Sequence, residues 1–529
     1  MTRPEVGVVR LDVLSRREKL ILAGIVLLAL LLRLDGLRFG LPDPGHPDEE
    51  TLLEASFYLL LFRTLRPTRF EWPSLSLYLG YLLLAGLYAV GRVTGTFSSF
   101  DSLVTAWKTD PTPFFLVVRS LSVVAGTATL WPVWLLAHRL YGRRAALFAT
   151  AAMATLPLAV LHSHYAVPDT QLTFWVASAL AAAAAVLDDG APRLYLTAGF
   201  LVGLAVSTKY NAFLAGLPVL VAHLLRERFA SARELLARTL DRRLIGAGVA
   251  ALAAFFLTSP YAALDFGRFV HDVRWQSDHM ATGHAGIAVS PWEHFWLFHF
   301  RHSIVPGLTL PGTLAVLAAL VLLAVRRRPG DWLLLGWIVP FYLMMEDARG
   351  KPPPDYARAI LPLTPAFAVA LGTAADSLWS RAERAPAEVR TRVRRGAMTA
   401  TALFGAWWTL DAHMLGATLR PDTRDVARDW ITSHRASLGT VYANDQRNYT
   451  PPIAGGEPYE ERVSWIADHP GTYVISSFRT QRYEDDHDLP EPREFYRELR
   501  RRSDLVAEFR PRWRSLCHSN PTISILHVR

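Results

Sequence analysis

Long apolar runs recur from Leu20 to about Gly416 and then stop. A run such as Leu20–Leu34 is about the length a bilayer demands of a spanning helix. With 51% apolar residues and 16 Trp in 529 residues, the chain is too apolar and too segmented for an ordinary soluble enzyme. The net charge of +9 does not indicate a nucleic-acid partner, because the cations cluster in short loops between apolar runs, as the positive-inside rule predicts. Almost all are Arg; the lysines are few, among them Lys19, Lys108, Lys209 and Lys351. The single Cys517 excludes an internal disulfide and any Cys-based zinc site. The start of the chain has no small-residue cleavage pattern after Arg16, Arg17 and Lys19, so a cleaved signal is not expected.

With the N-terminus inside, Leu20–Leu34 crosses and the tetrad His46-Pro47-Asp48-Glu49 emerges on the outer face. If Leu75–Val90 lies along the outer interface, as Tyr78, Tyr81 and Tyr88 suit, every later basic loop falls inside. The further crossings are about Leu116–Ala137, Ala145–Ser163, Leu172–Leu187, Leu194–Thr208, Ala212–Leu225, Ile245–Thr258, Leu308–Val325, Trp332–Met345, Ile360–Trp379 and Ala397–Leu415. The fold class is therefore a polytopic α-helical membrane protein with about eleven transmembrane helices and juxtamembrane helices in the first outer loop. It carries a small C-terminal α/β periplasmic domain. The division is 1–416 for the membrane domain and 417–529 for the soluble one.

In that C-terminal part, Asp422-Thr423-Arg424-Asp425 opens a capped amphipathic helix. Leu438–Ala443, Thr472–Ser477 and Thr522–Val528 read as strands, and Pro492–Phe509 mostly as a helix. No catalytic constellation is evident there, and the acidic run Glu484–Asp488 reads as a solvated turn.

This topology gathers the chemically unusual residues on one face. They are Asp48, Glu49, Glu71, His162, His164, Asp169, Lys209, a His-rich loop (His271, His279, His284, His294, His299), and Arg349, Lys351, Tyr356 and Arg358 around Pro352–Pro354. A carboxylate there serves as general base on an acceptor, and Lys and Arg neutralise a departing phosphate. Each has a plainer role to weigh: Asp169 as a helix cap, Lys209 as a snorkelling cation, Arg119 as an interfacial anchor, the triple proline as a loop stiffener. No P-loop, dinucleotide motif, zincin helix or nucleophile elbow is present. The motifs require no cofactor, although Glu71 with His279 or His284 offers donors for a divalent cation.

At these residues the chain resembles the C-type membrane glycosyltransferases, and in pattern the protein O-mannosyltransferases and bacterial aminoarabinose transferases acting on lipid A. The resemblance runs over roughly 20–370. It implies a polyprenyl-phosphate sugar donor, a glycolipid, polysaccharide or protein acceptor, anomeric inversion, and chemistry on the periplasmic face of a bacterial inner membrane. It places Asp48 as the catalytic base beside Glu49 and matches Glu71, Asp169, Lys209 and the segment from Arg349 to Arg358. From their shared face and charge, Lys209, Arg349, Arg358 and Tyr356 are expected toward the donor phosphate, and Glu71, Asp169 and His164 toward substrate. The family's paired prolines after the first-loop acid are broken here by Trp72 and Ser74. A non-enzymatic lipid-linked sugar flippase or transporter is the alternative; it would place its ionisable groups near the midplane of the helices.

Overall fold

A Ser15/Glu18 capping box opens the first helix, α1 (Arg16–Leu34), satisfying backbone donors that would otherwise face the bilayer surface bare. A computed structural model describes residues 14–226, 232–283, 296–351, 354–444, 449–484 and 489–529. His284, His294, Pro352, Pro353 and the stretch 485–488 therefore lie outside the described residues.

Among the described residues five helices are long and apolar enough to cross a membrane: Leu75–Thr94, Thr112–Tyr141, Asp169–Asp188, Phe300–Arg326 and Tyr356–Arg384. Pro192–Val206 and Tyr210–Arg226 are shorter apolar helices. Apolar residues also stand exposed on Arg16–Leu34 (Leu27, Leu31), Arg242–Thr258 (Val249, Leu252), Phe300–Arg326 (Val321, Val325) and Ala387–Ala417 (Leu403), which water would penalise and lipid would not. The expected crossing Ala145–Ser163 is interrupted. The helix Arg143–Thr155 stops at extended Leu156, and Pro157 starts a new one ending at His162, because the residue before a proline is pushed out of the helical region.

After α1 the chain turns into α2 (Pro47–Leu61) and then α3 (Leu75–Thr94). The charge pattern assigns α3 to the interface, yet it is one of the five apolar helices. Leu52, Leu53 and Phe57 of α2 pack with Leu77 and Leu84 of α3 and with Phe114 and Val118 in a core of their own. The Thr64–Trp72 segment between them is tied to the helix Phe266–Thr282: Arg66 pairs with Asp265 at 2.7 Å, and the Phe70 amide donates to Asp272 at 2.9 Å.

The C-terminal domain opens with the helix Thr423–His434, capped by Asp422 as the sequence pattern requires. Its sheet holds β1 (Val441–Ala443), β2 (Gly471–Ser476), β3 (Ser503–Phe509) and β4 (Ile523–Val528) in the order β1-β2-β4-β3. β1 runs parallel to β2; the other pairs are antiparallel. Ile431, Val474 and Ile525 form one side of the core. Tyr473, Phe495 and Tyr496 form the other, so β2 is buried along its whole length. The segment expected to be helical to Phe509 ends its helix at Arg502 and becomes β3. Its helix-forming Leu, Ala and Glu yield to a ladder with β4, an example of tertiary pairing overriding local preference.

The loop between β3 and β4 does not stay with its own domain. Arg514 and Trp513 bind Asp411 of the helix Ala387–Ala417, at 2.5 Å and 2.8 Å. Leu516 and Cys517 are buried in the same apolar core as the long helices.

Candidate active site

α2 begins with a device that aims its first turn. His46 is the N-cap, and its Nδ1 accepts from the Asp48 amide at 3.1 Å. Pro47 fills the first helical position, where no backbone donor is needed, and Asp48, Glu49 and Glu50 place negative charge at the positive end of the helix dipole. Adjacent helical residues project about 100° apart, and the two acids of the tetrad go to different places.

Asp48 turns to Arg358, whose Nη1 donates to its Oδ2. The carboxylate is about 25% exposed and Arg358 about 20%, so the pair is crowded yet open to one side. Burial works against ionisation of Asp48, but Arg358, His46 and Lys209 outweigh it and hold the carboxyl down at about 2. Lys209 itself sits 2.7 Å from Asp169, and Asp169 acts electrostatically on Arg358. Two carboxylates and two cations thus alternate in one group. Asp169 is the first residue of its helix, with Pro168 at the cap position, and its side chain makes no capping bond there. Lys209 is mostly buried in an ion pair, where a snorkelling side chain would be in water.

Glu49 turns inward and is completely buried. Arg119 grips it with two bonds of 2.7 and 2.9 Å, and the Ala166 amide donates to it at 2.7 Å. Arg119 is equally buried and also donates to the carbonyls of Leu37 and Phe39. This corrects the expectation of an interfacial anchor: Arg119 is the centre of a buried clamp that fixes the entry to α2.

The other expected site residues lie around this group. Tyr356 packs edge-on against Phe298, with ring centroids 5.1 Å apart. Arg349 is exposed, and its backbone amide is bound to the Met280 carbonyl at 2.9 Å. Lys351 is buried, its ammonium turned onto the carbonyls of Met345, Glu346 and Ala348, and burial pulls its pKa down to about 8. His164 is buried with one ring nitrogen 2.7 Å from the Asp35 carbonyl and the other 3.0 Å from that of Val160. The structure does not bring it to Asp48. Glu71 lines a cavity of about 230 Å³ along the side of α2, with Thr51, Glu54, Tyr58 and Trp72. Its near partner is Arg69, at 3.8 Å, while His279 stacks on Trp275. Among the described residues no metal-ligating group includes Glu71 or His279.

Behind Asp48 lies a group that the sequence did not announce. His46 Nε2 is 3.0 Å from Asp355 Oδ2, His162 Nε2 is 3.3 Å from Asp355 Oδ1, and Cys517 Sγ is 3.4 Å from His162 Nε2. The His518 ring lies 4.3 Å from that of His46. All five are buried. Burial opposes ionisation of Asp355, yet His162 and His46 hold its carboxyl well below the usual range. Burial and His46 hold His518 far below its own. Arg424 completes the join, donating to the carbonyls of Gly45 and His518 at 3.3 and 2.9 Å. The C-terminal part thus supplies Cys517 and His518 to the base of the site. The sequence signals were His46 at the head of the tetrad, His162 in the list of unusual residues, and a Cys517-His518 pair in a polar loop.

Residues 114–264 match the family described as dolichyl-phosphate-mannose-protein mannosyltransferase. Over 253 residues the chain is 30% identical to an undecaprenyl phosphate-alpha-4-amino-4-deoxy-L-arabinose arabinosyl transferase of Pseudomonas aeruginosa, covering 46% of this chain and 44% of that protein. The alignment thus spans less than half the length of that relative. In structure, the fold matches ArnT from Cupriavidus metallidurans bound to undecaprenyl phosphate, with a TM-score of 0.53 at 16% identity over 97% of this chain and 98% of the other. The chain shares the fold of ArnT over nearly its whole length, and its sequence likeness to the arabinosyl transferase and the mannosyltransferase family covers part of it. A further likeness of fold is to the oligosaccharyltransferase AglB of Archaeoglobus fulgidus, with a TM-score of 0.51 at 14% identity, covering 84% of this chain and 61% of the other.

Proposed function

We propose that this protein is an integral-membrane glycosyltransferase that moves a sugar from a polyprenyl-phosphate donor to a periplasmic or lipid-linked acceptor, with Asp48 as general base. The observation that carries the reading is the alternation of Asp48, Arg358, Asp169 and Lys209 at the mouth of α2. The relatives act on or were captured with polyprenyl phosphates, and such a donor brings an anion that needs fixed cations.

In the reaction the acceptor oxygen or nitrogen attacks the anomeric carbon as its proton passes to Asp48. The bond from that carbon to the phosphate oxygen breaks, its electron pair leaves with the prenyl phosphate, and the configuration inverts. The departing phosphate needs no proton, so one base suffices and no acid is called for. Arg358 and Lys209 receive the growing charge on the phosphate. When Arg358 turns to the phosphate it leaves Asp48, and burial then raises the proton affinity of a carboxylate that was held at about 2. Donor binding thereby arms the base. The cavity beside Glu71 opens one helical turn away and suits the acceptor. In this reading α1 enters from the cytoplasm, the site faces the periplasm of a bacterial inner membrane, and α3 lies along the outer interface.

The test is to incubate purified protein with a panel of prenyl-phosphate sugars and an acceptor extract and follow release of prenyl phosphate. Release that depends on Asp48 supports the reading. Movement of intact lipid-linked sugar across vesicles, without cleavage, overturns it in favour of a flippase.

A further inference from the structure

We propose that Cys517, His162 and Asp355 form a binding site for a divalent transition cation, zinc by its donor set, which clasps the C-terminal loop to the floor of the site. Three observations carry this. First, the three donor atoms converge, all within 4.8 Å of one another, and the two approaches to His162 have the spacing an ion would set. With bonds of about 2.0–2.1 Å to nitrogen and oxygen and about 2.3 Å to sulfur, a tetrahedral ion holds its ligand atoms about 3.3–3.5 Å apart. His162 Nε2 lies 3.3 Å from Asp355 Oδ1 and 3.4 Å from Cys517 Sγ.

Second, the hydrogen bonding does not account for the arrangement. Cys517 and Asp355 both approach the same ring nitrogen of His162, while its Nδ1 meets no partner. A Cys–His–Asp proton relay needs the acid on the other ring nitrogen, so a nucleophilic triad is excluded. Among the described residues Asp355 Oδ1, in a side chain 1% exposed, receives no well-formed hydrogen bond; its neighbours are the His162 ring at 3.3 Å and the Cys517 thiol. A buried anionic oxygen left in that state is costly.

Third, a supporting shell is already in place. The Asp48 amide occupies His46 Nδ1, which puts the His46 proton on Nε2, where it donates to Asp355 Oδ2 at 3.0 Å. Ligating carboxylates are commonly fixed in this way. Cys517 is also held at φ 55°, in the left-handed region that a non-glycine residue enters only when its surroundings impose it. Soft sulfur, imidazole and one carboxylate together favour zinc over magnesium or calcium. Three protein ligands leave a fourth position open. The ion's role is positioning: it fixes Asp355, Asp355 fixes His46, and His46 caps the turn that carries Asp48.

The experiment uses the full-length protein in detergent, stripped with a chelator and reloaded with Zn²⁺ or Co²⁺. We expect one tight equivalent of Zn²⁺ per chain, and a Co²⁺ complex with tetrahedral d–d bands and a thiolate-to-cobalt charge-transfer band in the near ultraviolet. Cys517→Ser removes the charge-transfer band, and His162→Gln weakens Zn²⁺ binding by about tenfold or more. His279→Ala leaves both unchanged. Gel-filtration and circular-dichroism profiles identify any variant that has failed to fold, and the spectrum of the unaltered protein decides the matter if both variants do. Folded protein that binds no stoichiometric Zn²⁺, a Co²⁺ spectrum without the thiolate band, or binding lost in His279→Ala and kept in Cys517→Ser overturns the site. The readout is metal rather than turnover, so its failure leaves the transferase reading standing, and the reverse holds too.

Discussion

Replacing Arg358 with Gln tests whether the cation beside the base restrains it. In the intact site Asp48 titrates at about 2 against an ordinary 3.8, a difference of about 2.4 kcal/mol at about 1.36 kcal/mol per pH unit. Burial opposes that shift, so the favourable charges supply more than the net figure, and Arg358 is the foremost of them. Removing a guanidinium from a neighbouring carboxylate raises its pKa by about one to three units. The sign follows. With Arg358 present, Asp48 stays proton-free until the pH falls toward 2, so the unliganded enzyme shows no acid limb in kcat/KM across the range where it remains folded. In Arg358→Gln the limb enters from the acid side, about one to three pH units higher. The donor KM rises in the same variant, because the phosphate has lost a bidentate partner. The assay is prenyl-phosphate release from pH 4 to 8, with donor affinity measured separately. A folded Arg358→Gln enzyme with an unmoved acid limb and unchanged donor affinity refutes the coupling between the cation and the base.

Asp48→Asn keeps the shape and removes the proton acceptor, so turnover falls by about a hundredfold or more with donor binding retained; near-normal turnover moves the base elsewhere. Glu49→Ala leaves Arg119 charged, buried and unpaired, at about 3–5 kcal/mol. That appears as a lowered melting temperature in detergent, and an unchanged one together with lost turnover would put Glu49 in the chemistry. Lys209→Met weakens binding of prenyl phosphate by about 1.5–3 kcal/mol, and equal affinity would place the phosphate away from Asp169 and Lys209. Reporter fusions after Tyr141 and after Arg420 give a cytoplasmic and a periplasmic signal, respectively; the opposite at either point overturns the proposed topology.

Much of the arrangement around Asp48 was legible because rare residue types stood at the ends of apolar runs, where sequence order and charge parity already limit which loops meet. Asp48, Asp169, Lys209 and Arg358 converge on that basis. The division of labour between Asp48 and Glu49 was not legible. Neighbours in sequence diverge on a helix, and only the position of Arg119, 70 residues away, decides which acid is buried. The Cys517–His162 approach spans 355 positions and depends on a loop leaving its own sheet to enter another core. A single cysteine excludes a zinc site made of cysteines, not one sharing imidazole and carboxylate. The end of the helix at Arg502 was hidden for a related reason: the residues that follow favour a helix locally, and β4, which recruits them, comes later in the chain.

The insertion of Leu516 and Cys517 into the core of the long helices bears on how the protein is made. In synthesis these residues follow every helix they pack against. Under the proposed topology, a nascent chain whose helices have already entered the bilayer therefore holds an unfilled notch in that core until the C-terminal domain has crossed and folded. Assembly ends with a plug arriving from the aqueous side. An unfinished or misfolded outer domain leaves that notch bare, giving quality-control proteases a physical mark of incompleteness within an otherwise inserted protein.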